Sequence, residues 1–453
     1  MMQADKARPR QRRRKRIPDT IVEARIETLS DDGRGIAHVD ERTVFVSQAL
    51  PGEVVRFQYT RYSNKLTEAK VVEVVEASTD RVEARCPVFG VCGGCNQQHI
   101  DHDAQIAIRQ RALLQQLERI GKLQPETVLP PLTGPVWQYR HKARLGVRYV
   151  AKKDKALVGF RERGSSFITD TPRCDILHPS VGGILDELSV LIGGMQARQY
   201  IPQIEVAVGD NQTVLVFRHL VELEQGDRDR LQAFAEQHNI VCLLQAGKPD
   251  QLEALHPARP EPLYYHIDNG DIRIEFAPAD FTQVNPELNR NMLAQAIELM
   301  QLEADDEVLD LFSGLGNFSL PMAKRCKSVT GVEGAASMVK KARDNAALNN
   351  IDNVSFVCAD LYSDEITYAP WLKQPYNKVL LDPPRSGAAE IIPLLVKNKP
   401  ERIVYVSCHP ATLARDAGML VNDHGYRCVS AGVMDMFPHT AHVESIAVFE
   451  KQA

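Results

Sequence analysis

The stretch Val308-Leu309-Asp310-Leu311-Phe312-Ser313-Gly314-Leu315-Gly316-Asn317-Phe318 decides the architecture of the C-terminal half of the chain. An apolar run of strand length ends in an acid, then turns through glycines that let backbone approach a ligand. About twenty residues further on, a second run closes in Thr330-Gly331-Val332-Glu333, which sets a carboxylate where ribose hydroxyls would sit. Strand cores are expected at Glu307–Leu311, Ser328–Val332, Val354–Val357, Lys378–Leu381, Arg402–Val406 and Ser445–Phe449. Their alternation with helical stretches predicts a doubly wound, Rossmann-like α/β sheet over residues 266–453. Ser319 stands where a dinucleotide fingerprint would place its third glycine. That substitution disfavours a pyrophosphate and leaves S-adenosylmethionine as the expected cofactor.

Two later strand ends carry chemistry. After the fourth strand comes Asp382-Pro383-Pro384-Arg385, where two prolines make a rigid rim beside an acid. An acid followed by Pro-Pro at this place resembles methyltransferases that act on nucleobases. The fifth strand ends in Ser407-Cys408-His409-Pro410, which sets a thiol at the carboxyl end of the sheet, where ligands bind. Carbon 5 of uracil is too weak a nucleophile to take a methyl group from a sulfonium unaided. A thiolate added to carbon 6 turns the ring into an enolate and makes carbon 5 reactive. A base must then remove the carbon 5 proton, and Glu444 in His442-Val443-Glu444-Ser445 is the candidate.

With Phe281-Thr282-Gln283-Val284-Asn285, these motifs together resemble the uracil-C5 RNA methyltransferases. The resemblance implies Cys408 as nucleophile and Glu444 as base. It implies methyl-donor contacts from Gln283, Phe312, Asn317, Glu333, Asp360 and Asp382.

Upstream, residues 17–76 hold short β-type runs punctuated by Asp32-Gly33, Gly35 and Pro51-Gly52, which predicts a small OB-like β-barrel. The run Asp32-Gly33-Arg34-Gly35-Ile36-Ala37 with Ala49-Leu50-Pro51-Gly52-Glu53 resembles a TRAM domain, a small RNA-binding barrel. Residues 80–265 mix helix and strand and form the expected central α+β domain. Within it, Ile106, Leu113, Leu117 and Ile120 are expected on one helical face, and Leu252–Pro262 reads as a linker.

Cys86, Cys92 and Cys95 crowd into a C-x5-C-x2-C pattern, and four sulfur ligands would complete a site. Cys174 is the best fourth, because Cys242, Cys326, Cys358 and Cys428 fall in apparent core elements. Four cysteinates suit zinc or an iron–sulfur cluster. Barrel, cysteine pattern and methyltransferase domain in this order resemble the branch of the family that acts on 23S ribosomal RNA, and that resemblance implies a [4Fe-4S] cluster. The tRNA-directed uracil methyltransferases resemble the catalytic part alone. Radical methylthiotransferases share the ingredients but carry C-x3-C-x2-C with the barrel last. A non-catalytic RNA-binding protein would need neither Cys408 nor Glu444.

Composition narrows the rest. At 44% hydrophobic and 25% charged residues the chain is ordinary for a globular protein, and no apolar run reaches the ~18 residues of a membrane span. Nine cysteines in a chain of this length do not suggest a disulfide framework. A cytoplasmic monomer is expected. Formal charge is −5, yet residues 1–16 carry eight basic residues against Asp5. Such a basic, disordered tail suits a phosphate backbone.

Overall fold

Buried and exposed side chains alternate along the N-terminal strands, as a sheet covered on one face requires. These are β1 (Ile21–Arg25), β2 (Thr28–Leu29), β3 (Gly35–Val39), β4 (Arg42–Ser47), β5 (Val54–Tyr62) and β6 (Thr67–Glu76). Their order is β1-β5-β6-β4-β3-β2, with β4 and β6 parallel and the other pairs antiparallel. Ile26, Val44, Val46, Val55, Phe57 and Ala69 fill the core. This computed structural model describes residues 17–247 and 251–452. The expected basic tail, 1–16, lies outside the described residues. The barrel belongs to one compact unit, which runs to Arg85 and includes Asn96–Asp101.

The second unit comprises Cys86–Cys95 and the chain from His102 onward. It opens with α1 (His102–Gln116) and β7 (Thr127–Val128). Next come β8 (Lys142–Val150), β9 (Lys155–Gly159), α2 (Pro179–Gly182), α3 (Leu185–Gly193), β10 (Gln203–Val208), β11 (Thr213–Arg218), α4 (Gln225–His238), β12 (Val241–Gln245) and β13 (Leu252–His256). The strands assemble as β13-β12-β11-β10-β8-β9. Leu215 and Phe217 of β11 face α3 and α4, whereas Val214 and Val216 join the core of the following domain. That alternation lets one sheet serve two cores.

A hairpin, β14 (Leu263–Ile267) and β15 (Ile272–Phe276), leads into α5 (Pro286–Met300). The nucleotide-type fold follows through β16 (Glu307–Leu311), α6 (Ser319–Ala323), β17 (Ser328–Glu333), α7 (Ala336–Leu348), β18 (Val354–Cys358) and β19 (Lys378–Leu381). It ends with α8 (Ile392–Leu395), β20 (Arg402–Ser407), α9 (Pro410–Gly418), β21 (Tyr426–Met434) and β22 (Glu444–Lys451). Sheet order is β18-β17-β16-β19-β20-β22-β21-β7, and β18 through β20 run parallel. Both faces are covered: Val308, Leu380 and Val404 point to one core, and Leu309, Leu381 and Ile403 to the other. Chain direction across the sheet reverses between β16 and β19, so a crevice opens beyond their carboxyl ends.

Several expectations need correction. Ile120 is exposed although Ile106, Leu113 and Leu117 are buried, because the helix widens into a π-turn at Leu117–Gly121 and rotates Ile120 off the stripe. Leu252–His256, read as linker, is an edge strand paired with β12. Cys358, read as core, is exposed at the end of β18. The boundary drawn at 265/266 falls inside β14, since Asp268-Asn269-Gly270 folds the two runs into a hairpin. Among the described residues no helix is long and apolar enough to cross a membrane.

Candidate active site

The turn after β16 is set by strain. Phe312 has φ +68°, where a bulky side chain rarely sits. It is held there because the Phe312 and Ser313 amides both donate to the Val332 carbonyl, at 2.9 and 3.1 Å. Gly316 follows at φ +89°, and a Cβ there would lie 3.2 Å from both Leu320 and Phe356. At Gly314 the space is open, so backbone borders the crevice without a side chain. The Gly314 amide donates to Glu333 (3.2 Å) and the Ala335 amide to its other oxygen (2.9 Å). Each carboxylate oxygen keeps accepting capacity for a ligand hydroxyl.

Asn317 is locked by a reciprocal amide pair with Asn289 of α5 and by the Tyr265 hydroxyl, which donates to its Oδ1 at 3.1 Å. Asn285, one helical turn before Asn289, caps α5 by accepting from the Leu288 amide (3.2 Å). Gln283 lies two residues before this cap. Asp360 is exposed just beyond β18, where its Oδ1 accepts from the Tyr362 amide at 3.0 Å. The Tyr362 hydroxyl donates to the Gly387 carbonyl (2.9 Å), and its ring stands 6.0 Å from that of Phe312. Sequence reasoning gave Tyr362 no role, since a lone tyrosine in a loop carries no local signal.

Three buried polar atoms at this edge, Asp310 Oδ1, Ser313 Oγ and Asn285 Nδ2, have no hydrogen-bond partner among the described residues. Burial pushes the Asp310 carboxyl up to about 7, although Ser319 donates to it. Burial likewise takes Asp382 up to about 7. Unpaired polar atoms beside an open glycine turn, with a carboxylate free to accept hydroxyls, fit an adenosyl ligand carrying an amino-acid head.

Cys408 and Glu444 come together through strand register. Ser407 of β20 pairs with Ser445 of β22, so the next residues outward, Cys408 and Glu444, face each other on the opposite side of the pleat. Each lies within electrostatic reach of Asp382 and Arg385, and Glu444 acts directly on Cys408. Burial, then Glu444 and Asp382, push the Cys408 thiol up to about 11, and Arg385 pulls it the other way. Glu444 is 6% exposed, and burial with Asp382 raises its carboxyl to about 8. Arg385 Nη2 is 2.9 Å from His442 Nδ1. His409 caps α9 through the Thr412 amide, so a helix N-terminus starts beside the thiol.

The cysteines of the second unit were read from spacing, and the structure draws them to one region. The Cys92 sulfur acts electrostatically on both Cys86 and Cys174. Backbone amides donate to sulfur: Gly94 to Cys92 at 3.4 Å, Val88 to Cys86, and Ile176 and Leu177 to Cys174. Residues 138–140 run alongside 175–176, and Cys95 acts on Tyr139 in that segment. Among the described residues no three His, Cys, Asp or Glu side chains are gathered tightly enough for a single metal ion. Amide donors aimed at the sulfurs fit a thiolate cluster. Tyr139 is buried, and its hydroxyl donates to the Pro438 carbonyl at 3.1 Å.

Residues 261–452 match the family tRNA (Uracil-5-)-methyltransferase, and residues 18–72 match the TRAM domain. The 23S rRNA (uracil(1939)-C(5))-methyltransferase RlmD of Alkalilimnicola ehrlichii is 50% identical over 98% of this chain and 99% of its own. That of Methylococcus capsulatus is also 50% identical, over 97% and 99%. Among solved structures, the tRNA (uracil-54, C5)-methyltransferase of Pyrococcus abyssi, in complex with S-adenosyl-L-homocysteine, shares the fold. Its TM-score is 0.72 at 24% identity, over 94% of this chain and 99% of that one.

Proposed function

The chain belongs to the uracil-C5 RNA methyltransferases, its full-length relatives being 23S rRNA (uracil(1939)-C(5))-methyltransferases, and from that premise we propose how its own residues perform the reaction. The substrate is a uridine of 23S ribosomal RNA, position 1939 by likeness to those relatives. Bound S-adenosylmethionine supplies an electrophilic methyl group. Gln283, Phe312, Asn317, Glu333, Asp360 and Asp382 hold that donor along the carboxyl edge of β16 to β19.

Cys408 releases its proton to solvent and adds through Sγ, as the thiolate, to carbon 6 of the uracil. At rest the group is a thiol, because burial and two carboxylates oppose the anion. Arg385 and the start of α9 favour the thiolate once substrate fills the crevice. Ring electrons pushed toward the uracil carbonyl make carbon 5 nucleophilic, and it takes the methyl group. Glu444 then removes the carbon 5 proton. The electron pair left behind restores the ring double bond and expels the Cys408 thiolate. A carboxyl raised to about 8 is a far stronger base than an ordinary glutamate.

The observation that carries this reading is the facing of Cys408 and Glu444 across the β20–β22 register. RNA bearing 5-fluorouridine tests it, since fluorine blocks proton removal and traps the bond to Cys408. Wild type should form a stable protein–RNA adduct with S-adenosylmethionine, and Cys408→Ala should form none. An undiminished adduct with Cys408→Ala sinks the reading.

Cys86, Cys92, Cys95 and Cys174 are the proposed ligands of a [4Fe-4S] cluster. Methyl transfer moves no net electrons, so such a cluster would tie chain segments together, as metal sites coupled to folding do. Amides donating to three of the sulfurs support the assignment. Anaerobic purification should yield about four irons per chain, lost in Cys174→Ser; stoichiometric zinc would overturn it. The proposal divides the chain into a TRAM barrel (17–76), a central cluster-bearing domain from residue 80 up to the hairpin that starts at Leu263, and the methyltransferase domain from that hairpin onward. It extends to a cytoplasmic monomer, where ribosomal RNA is made and modified.

A further inference from the structure

The connection from β21 to β22, residues 435–443, delivers Glu444 and His442 to the site. Connections normally run over the surface, because buried backbone polar groups need partners. This one is largely buried: Asp435, Met436, Pro438, His439 and Thr440 are all inside. Several of its partners come from one face of α1, where His102, Gln105 and Arg109 stand at helical spacing. Arg109, 1% exposed, pairs with Asp435 and donates through Nη2 to the Thr440 carbonyl at 2.8 Å. His102 Nε2 lies 2.6 Å from the other Asp435 oxygen, and the His439 amide donates to Gln105 Oε1 at 3.0 Å. Thr440 in turn accepts from the His442 amide (3.3 Å), and His442 meets Arg385.

We infer that Arg109 is a positioning residue for proton abstraction: clamped between Asp435 and the Thr440 carbonyl, it sets the path of residues 435–443 and hence where Glu444 stands relative to Cys408. The guanidinium fork is the required group, since it meets a carboxylate and a carbonyl at fixed angles, as an ammonium cannot. Cys408 follows a different strand, β20, whereas Glu444 opens β22 at the end of the clamped connection. Loss of the fork should therefore slow removal of the carbon 5 proton and spare addition at carbon 6. The inference rests on the proposed role of Glu444.

The test is single-turnover kinetics on unmodified RNA with the full-length protein, following formation and decay of the covalent protein–RNA adduct. In Arg109→Lys, adduct decay should slow by about tenfold to a hundredfold, as for a misplaced catalytic group. Adduct formation should stay within about twofold of wild type, so the adduct accumulates. Gln105→Leu, which removes one acceptor and keeps the buried ion pair, should show the same split more weakly and guards against a folding failure of Arg109→Lys. Formation and decay falling together in both variants would reduce the clamp to general structure, and unchanged decay in both would remove it altogether. Glu444→Gln run alongside separates the two ideas. If that variant fails to accumulate adduct, the base assignment falls; if it accumulates and the α1 variants do not, the positioning role alone falls.

Discussion

Two buried glutamates, one in the barrel and one in the catalytic domain, titrate in opposite directions. Glu53 is fully buried, and burial alone would push its carboxyl up. Arg81 and the amides of Leu50 (2.8 Å) and Ser78 (3.2 Å) nevertheless hold it below the usual glutamate value. Glu444 is almost as buried, yet among the described residues no donor reaches its carboxylate, and it is raised to about 8. Burial thus says little about what a carboxylate does. Partners decide: a satisfied one fastens the fold, and an unsatisfied one beside a thiol is left for chemistry.

The largest test of that contrast is Glu444→Gln. Turnover should fall by about 10²- to 10⁴-fold, the usual worth of a positioned base. Decay of the wild-type covalent adduct should quicken with pH toward about 8, because the base works ionised. A wild-type profile flat between pH 6 and 8 would contradict a raised Glu444.

Stability should separate the same pair. Glu53→Gln leaves Arg81 without its charge partner and should cost about 2 kcal/mol at pH 7, discounted because Arg81 is partly exposed. The cost should shrink as pH falls through the depressed pKa, since the ionised Glu53 then no longer contributes. Glu444→Gln should do the reverse. Wild-type Glu444 stays protonated in the fold up to about 8 but ionises near 4.5 when unfolded, so wild-type stability falls between those values. The variant's melting temperature should match wild type near pH 4 and exceed it most at pH 8. Urea unfolding at several pH values checks both signs.

Smallest is Arg385→Gln. Without its cation Glu444 should titrate higher, moving the rising limb of the pH profile upward by less than about one unit. A limb that does not move would remove Arg385 from the electrostatics of the pair.

Local motifs were readable because their information is local. The glycine turn after β16, Glu333 closing β17, Asp382-Pro383-Pro384 and Cys408 each sit at the end of an apolar run whose period marks a strand. The hairpin at 263–276 is masked in the sequence by the prolines before it, although Asp268-Asn269-Gly270 is a turn signal. Arg109 also left a trace. It stands on the stripe of Ile106, Leu113 and Leu117, where a solvated arginine would not.

By itself the sequence marked the strand ends that carry the proposed site, because strand period, glycine freedom and thiol reactivity belong to short stretches of chain. Tertiary structure alone decided that Cys408 faces Glu444, since this depends on β22 entering antiparallel in one register, and a slip of one residue would turn every side chain over. It alone brought Arg109 to Asp435 across 326 residues. A helix presents the same stripe wherever it packs, so its sequence can require a buried partner for the arginine without naming which carboxylate that will be.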